Sequence, residues 1–362
     1  MTRVLSKPSL PAVDVDGPHA SCADIASCAD IAARVEVDAD GAVYAASSGK
    51  TVASDNCAGL SILGRAFCFL APTYLLLLCL IFANELLGRT FHYSIKFFSP
   101  GIYLFQSPWL SLNYYGFFLL FGLAACLGVG LKAAHLWRLN AEHVLTMVTY
   151  CIIFGSLGAR LYYVALCWPH FMKFPQEIFR ASLGGLSIHG CIAGLFVAIL
   201  LYARLHPGRA VAYFDLVCIC LPLAQSIWRW GNLFNSETAG APLSHYALLQ
   251  QLVPWAYRPR AYMQYDCFQP AFLYESIWDL ALFVCLYFGL AKMSLGRPGL
   301  LSCIYLGAYS AGRILIESVR LDGITYGPLP VPTIVSLACL VASSIGIAFL
   351  LSPKIQRPRV KT

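Results

Sequence analysis

Apolar residues in this chain come in runs of about twenty, and at about 1.5 Å per residue each run is long enough to cross a ~30 Å hydrocarbon core as a helix. Eight such segments can be marked. The first covers 66–88, through the Leu75–Leu78 run, and the others cover 113–132, 143–167, 186–204, 211–230, 271–292, 298–319 and 329–351. Composition agrees: only 12% of the residues are charged and 59% are hydrophobic, whereas soluble domains carry about a quarter charged residues. Disordered chains, fibrous repeats and nucleic-acid-binding modules are excluded at the level of the whole chain. The expected fold is all-α and polytopic: seven core transmembrane helices with an extracytoplasmic head or arm, plus an extra N-terminal helix.

Charge divides the chain. Residues 1–65 hold five Lys/Arg against eight Asp/Glu, while 66–362 hold twenty against ten. The acidic N-terminal part contains a perfect tandem hexapeptide, Ser21–Ala26 and Ser27–Ala32, but two copies are too few for a solenoid. It reads as a disordered, dispensable extension, without the basic start and short apolar core of a signal peptide. The 15 cysteines mostly stand singly in apolar stretches and show no ligand spacing, so neither a disulfide framework nor a metal is expected.

Between the fourth and fifth core spans lies a polar stretch, 231–270, expected to form an arm or lid at the membrane surface. Ten loop and tail Lys/Arg, from Lys132 to Lys361, fall on one side of the membrane and five, from Lys173 to Arg320, on the other. The excess of positive charge marks the cytoplasmic face, which places the C-terminal tail 353–362 inside and the arm outside. The expected organisation is thus an extension 1–65, an extra helix 66–88, a core 95–352 and a basic tail.

Ionisable groups inside spans are costly and so mark function. Arg160, His189, Arg229, Glu275, Arg313 and Glu317 form such a set, with Asp215 and Asp279 near span ends. Buried arginines suit an anion, because guanidinium stays charged and binds phosphate oxygens bidentately. Arg313, Glu317 and Arg320 stand at i, i+4 and i+7 and share one helix face; Arg160 and Tyr163 share another. An Arg–Glu pair one turn apart can also be purely structural, and Asp215 and Asp279 read as solvated or locally paired.

The run Arg229-Trp-Gly-Asn-Leu-Phe-Asn-Ser-Glu-Thr-Ala-Gly240 resembles the R-x-G-N-x-x-N-x-E-x-x-G signature of bacterial prolipoprotein diacylglyceryl transferases. Further segments resemble the family in the same order: Tyr115-Gly116, Gly158-Ala-Arg160 with Tyr163, Leu186-Ser-Ile-His189-Gly190, Pro270-Ala-Phe-Leu-Tyr274-Glu275, and Gly307 through Arg313 with Glu317, Arg320 and Asp322. The likeness covers about 95–350. Three positions depart from it: Cys191 replaces a second glycine, Gln269 a histidine, and Cys167 an aromatic residue.

The resemblance implies transfer of diacylglyceryl from phosphatidylglycerol to the lipobox cysteine of a preprolipoprotein, giving a thioether and glycerol 1-phosphate. It implies a bacterial inner-membrane setting and an active site toward the extracytoplasmic side. Catalysis is then expected from His189, Arg229 and Arg313. Substrate contacts are expected from Arg229, Arg160, Tyr115, Tyr163, Asn232, Asn235, Glu237, Gly240, Tyr274 and Glu317, with Tyr115 and Tyr274 lining one cavity. No metal or organic cofactor is required. A transporter of an anionic small molecule is the alternative that buried arginines also suit, but it calls for internal symmetry, and the halves 95–220 and 220–350 show none.

Overall fold

The computed structural model describes residues 35–37, 43–45, 51–107, 111–137, 139–179, 187–206, 210–243, 246–291, 297–321, 325–326 and 329–352. The tandem hexapeptide, the tail 353–362 and several loop cations (Arg138, Arg180, Arg209, Lys292) lie outside the described residues, as does Asp322. In the N-terminal part, β1 (Val35–Val37) and β2 (Val43–Ala45) form a small antiparallel hairpin.

Apolar runs become helices because only intra-segment hydrogen bonding satisfies a backbone in hydrocarbon. The helices are α1 (Thr51–Phe91), α2 (Tyr114–Leu136), α3 (Ala141–Leu166), the short α4 (Trp168–Lys173), α5 (Ile188–Leu205), α6 (Ala210–Phe234), α7 (Ala271–Val284), α8 (Leu300–Glu317) and α9 (Val331–Leu351). Helix α7 continues as π turns over Cys285–Leu290. Among the described residues seven helices are long and apolar enough to cross a membrane, and Ala193–Leu205 in α5 is a shorter apolar stretch. The protein is a multi-pass, all-α membrane protein. Helix α1 is longer than the expected 66–88, and its apolar stretch runs over Ser61–Phe91.

Caps fix where the helices begin. The Asn113 side chain accepts from Gly116 N at 2.7 Å and Asn140 from Glu142 N at 2.9 Å, each supplying an acceptor to a first turn. Asp215 performs the same task across space: its carboxylate takes Gly299 N at 2.6 Å, Ser302 N at 2.9 Å and the Ser302 hydroxyl, and so caps α8. Asp215 is therefore locally paired, one of the two roles its sequence position allows.

Large apolar side chains such as Phe67, Leu120 and Ile345 stand exposed around the outside, as a surface facing lipid requires. The most buried spans are α6, α7 and α8, and these carry the four carboxylates that are buried among the described residues, Asp215, Glu275, Asp279 and Glu317.

Glycine lets two helices approach unusually closely. A Cβ on Gly190 of α5 would collide with Gly158 O of α3 and come within 2.5 Å of Tyr162 Cβ, while one on Gly194 would meet Phe154 O. Ser187 N donates to Ala159 O at 3.1 Å and pins the start of α5 to α3. Small residues at such crossings replace hydrophobic driving force with close packing. Gly190→Ala is therefore expected to destabilise the fold by about 1–3 kcal/mol, the usual cost of overpacking. A melting curve in detergent checks this, and an unshifted midpoint would refute the close approach.

The arm is a small sheet. Strands β3 (Ile95–Phe98), β6 (Ala239–Pro242), β7 (Leu249–Leu252) and β8 (Cys267–Pro270) lie in the order β3-β7-β8-β6. Here β3 runs parallel to β7, and β8 antiparallel to both β7 and β6. A separate hairpin pairs β4 (Tyr103–Gln106) with β5 (Ser111–Asn113), and β9 (Thr325–Tyr326) pairs with β10 (Leu329–Pro330) just before α9. Within 231–270 the strands β6, β7 and β8 thus form a β head that recruits β3 from before the first core span, a pairing absent from the sequence reading. Four-residue strands carry almost no period-two signal, and in β7 the adjacent Gln250 and Gln251 are both buried.

Candidate active site

Three helices bring charge together. Glu275 and Asp279 sit one turn apart on α7, Arg313 and Glu317 one turn apart on α8, and Arg320 just beyond its end; Arg229 comes from α6. Glu275 is the hub. Its Oε2 lies 3.0 Å from Arg229 Nη1, and its Oε1 takes Arg320 Nη1 at 2.8 Å and Arg313 Nη1. Arg229 Nε lies 3.7 Å from Asp279, and its Nη2 donates to Tyr309 OH at 3.3 Å. Glu317 holds Arg313 at 2.7 Å and Arg320 at 3.8 Å.

Three guanidiniums face three carboxylates, so the group is formally balanced. The balance is not symmetric in space. The arginine side chains keep 11–15% of their surface exposed, whereas the carboxylates keep 1–3%. The carboxylates therefore form a buried backing, and the guanidiniums present the accessible edge. Such an edge can take an anion, while the carboxylates hold the planar forks in place. The hub position of Glu275, with Tyr309 as a member of the group, escapes one-dimensional spacing, which reports only neighbours along one helix such as Arg313, Glu317 and Arg320. Two signals mark Glu275 in the sequence, an ionisable residue inside a span and the Tyr274-Glu275 segment of the resemblance, and neither shows that it joins three arginines.

The signature run links this group to the head. A Cβ on Gly231 would lie 2.9 Å from Tyr115 Cα, so the glycine seats Tyr115 against the last turns of α6, two residues from Arg229. Asn235 N and Glu237 N return to Gly231 O and Asn232 O at 3.2 and 3.0 Å, winding the chain off the helix end. Ser236 and Thr238 have φ of 56° and 57°, a left-handed conformation uncommon for residues with a side chain. Gly240 forms a bridge with Arg320, and a Cβ there would lie 2.7 Å from Gln269 Cβ. Both ends of the signature thus meet the Arg313–Arg320 segment, Arg229 through Glu275 and Gly240 through backbone.

A cleft of about 580 Å³ opens beside the run. It is lined in part by Asn113, Asn235, Glu237, Thr238, Tyr257 and Leu321. Asn235 Nδ2 lies 3.5 Å from Glu237 Oε1, and Asn232 is buried nearby in sequence.

Other expected site residues are placed differently. Arg160 donates through Nε to Ile178 O at 2.9 Å and through Nη2 to Glu177 O at 2.5 Å, and lies over the rings of Tyr163 and Phe171. It anchors the turn Pro175–Phe179, and the geometry does not show it beside Arg229. His189 stands in the first turn of α5, alongside the Gly158–Arg160 turn of α3; its side chain lies outside the described ones. Tyr274 is fully buried in a packed cluster with Leu77 and Ile81, its hydroxyl 3.4 Å from Asn84 Nδ2. The expectation that Tyr274 shares a cavity with Tyr115 is corrected accordingly: its ring is consumed by packing against α1.

Comparison with known proteins agrees with this architecture. A sequence model described as prolipoprotein diacylglyceryl transferase matches residues 102–349. A phosphatidylglycerol–prolipoprotein diacylglyceryl transferase from a Synechocystis species is 36% identical over 263 residues, which cover 70% of this chain and 91% of that protein. Proteins of the same name from Synechococcus elongatus and Fervidobacterium nodosum are 36% and 34% identical, over 74% and 69% of this chain and 93% and 85% of their own lengths. With a family match over most of its membrane body and relatives of this similarity, the chain belongs to the prolipoprotein diacylglyceryl transferase family.

Proposed function

We propose that the chain moves a diacylglyceryl group from phosphatidylglycerol to the lipobox cysteine of a prolipoprotein. The sulfur attacks the diacylglyceryl carbon bonded to the phosphate oxygen. A C–S bond forms, the C–O bond breaks, and its electron pair leaves on glycerol 1-phosphate while the thiol proton is lost. The observation that carries this reading is the guanidinium edge of Arg229 and Arg313 over carboxylates buried behind it.

Negative charge grows on the phosphate as the C–O bond breaks. Fixed cations aimed there stabilise the transition state more than the ground state. Arg229 and Arg313 take this role, and Glu317 locks the Arg313 fork. Asn232, Asn235, Glu237 and the backbone at Gly240 provide polar groups for the glycerol hydroxyls. Tyr115 packs beside them, and Arg160 with Tyr163 shapes the neighbouring turn. A thiol of ordinary pKa near 8.5 needs a proton acceptor, and His189 is the assigned base, since an imidazole titrates close to working pH.

Both substrates are membrane-anchored, the lipid by its chains and the prolipoprotein by its signal segment. The excess of Lys/Arg on the opposite face supports an extracytoplasmic head in a bacterial inner membrane, with the C-terminus cytoplasmic. The residues before α1 are then an extension dispensable for transfer.

The test uses purified protein in detergent, a lipobox peptide and phosphatidylglycerol labelled in its headgroup glycerol. Release of labelled glycerol phosphate only when the peptide contains its cysteine is the expected result. Folded protein that releases none would overturn the reading.

A further inference from the structure

Helix α1 and strand β3 precede the region that matches the family, 102–349, yet α1 is built into the same body. Along one face it presents Leu77, Ile81, Asn84 and Gly88, all buried. A Cβ on Gly88 would collide with Tyr246 O and come within 2.5 Å of Leu248 N, so the helix lies directly on the chain entering β7.

Asn84 is the polar residue of that face. Its Oδ1 accepts from Leu249 N and its Nδ2 donates to Leu249 O, both at 2.8 Å. Its own carbonyl accepts from Leu248 N at 3.0 Å. A side-chain amide thus engages both backbone groups of one strand residue, as a neighbouring strand would. The same Nδ2 lies 3.4 Å from Tyr274 OH, and Tyr274 immediately precedes the hub Glu275 on the first turns of α7. A second link runs parallel: Gln269 Nε2 donates to Ile81 O at 3.3 Å, and Gln269 is the residue against which Gly240 packs.

We infer that Asn84 is a positioning residue: it ties strand β7 of the head to the start of α7 and so fixes the carboxylate that the three arginines share. Asn84 touches no member of the arginine group itself. It acts through Tyr274 on one side and the head sheet on the other, and the alignment of Arg229 with Arg313 depends on both. The inference rests on the transferase reading only for its kinetic consequence.

The test compares the full chain with Asn84→Ala, Tyr274→Phe and the double variant in the glycerol-phosphate release assay. In Asn84→Ala, kcat is expected to fall at least about tenfold, the scale on which misplaced catalytic groups show, with KM for phosphatidylglycerol unchanged. Tyr274→Phe, which removes one hydroxyl from an otherwise intact core, is expected to lower kcat in the same direction. The double variant is expected to be no worse than Asn84→Ala, because both substitutions cut one link. Normal kcat in both single variants, or losses that multiply in the double, would overturn the inference.

Hydrogen exchange gives a readout that needs no turnover. Asn84→Ala is expected to lose protection in Leu248–Leu252 and in the first turn of α7 together. Loss confined to β7 would show a local structural bond and overturn the positioning role. An inactive parent chain with coupled exchange would instead refute the transferase reading alone.

Discussion

Arg229→Lys is expected to lower turnover by at least about a hundredfold, although it preserves the charge. Arg229 uses three nitrogens in three directions: Nη1 toward Glu275 at 3.0 Å, Nε toward Asp279 at 3.7 Å, and Nη2 toward Tyr309 at 3.3 Å. This anchoring orients the plane of the fork. A lysine ammonium is a compact point charge on a flexible stem and cannot occupy those three sites at once. It would pair with the buried carboxylates and leave the accessible edge, where the phosphate is proposed to sit, without a directed donor. Removing one preorganised donor from a developing anion costs about 10²–10³ in kcat in other enzymes. The measurement is kcat at saturating phosphatidylglycerol, with a melting curve to establish that the variant is folded. Turnover within threefold of the parent would refute the phosphate-clamp role, because only the charge would then matter.

The membrane body could be read from the sequence because its signal is one-dimensional. A run of twenty apolar residues is legible wherever it occurs, and α2, α3, α6, α8 and α9 lie close to the expected segments. The same logic exposed Arg229, Arg313 and Glu317, since charge inside such a run stands out. The head was harder. Strand β3 pairs with β7 over a separation of about 150 residues, and strands of four residues with adjacent buried glutamines leave no alternation to detect. Within the site, spacing found the Arg313–Glu317 pair but not the convergence on Glu275, which depends on how α6, α7 and α8 cross. Tyr274 failed for a related reason. The resemblance implied that Tyr274 lines a cavity with Tyr115, but one residue along a helix turns the side chain by about 100°. That rotation points Tyr274 at α1 while Glu275 faces the arginines.

Glu275→Gln tests the other half of the design, and its main effect falls on the fold. Glu275 contacts all three arginines, through Oε1 to Arg313 and Arg320 and through Oε2 to Arg229. The isosteric amide keeps the shape and one carbonyl acceptor but removes the negative charge and places an NH₂ against a guanidinium. Three arginines would then share Asp279 and Glu317, which are less central and touch only one and two of them respectively. Removing one partner of a buried ion pair costs about 3–5 kcal/mol, because the remaining charge is left desolvated and unpaired. A loss near that range is expected, seen as a lower unfolding midpoint in detergent together with little or no transfer. The double variant Glu275→Gln with Arg320→Gln restores the charge balance without touching Arg229 or Arg313, and it is expected to recover much of the stability. Recovery of stability without recovery of turnover would separate the carboxylate's two tasks, since neutrality would then be met while the forks of Arg229 and Arg313 remained unaligned. A Glu275→Gln protein as stable as the parent would mean that the three cations do not depend on this carboxylate, and the hub assignment would fall.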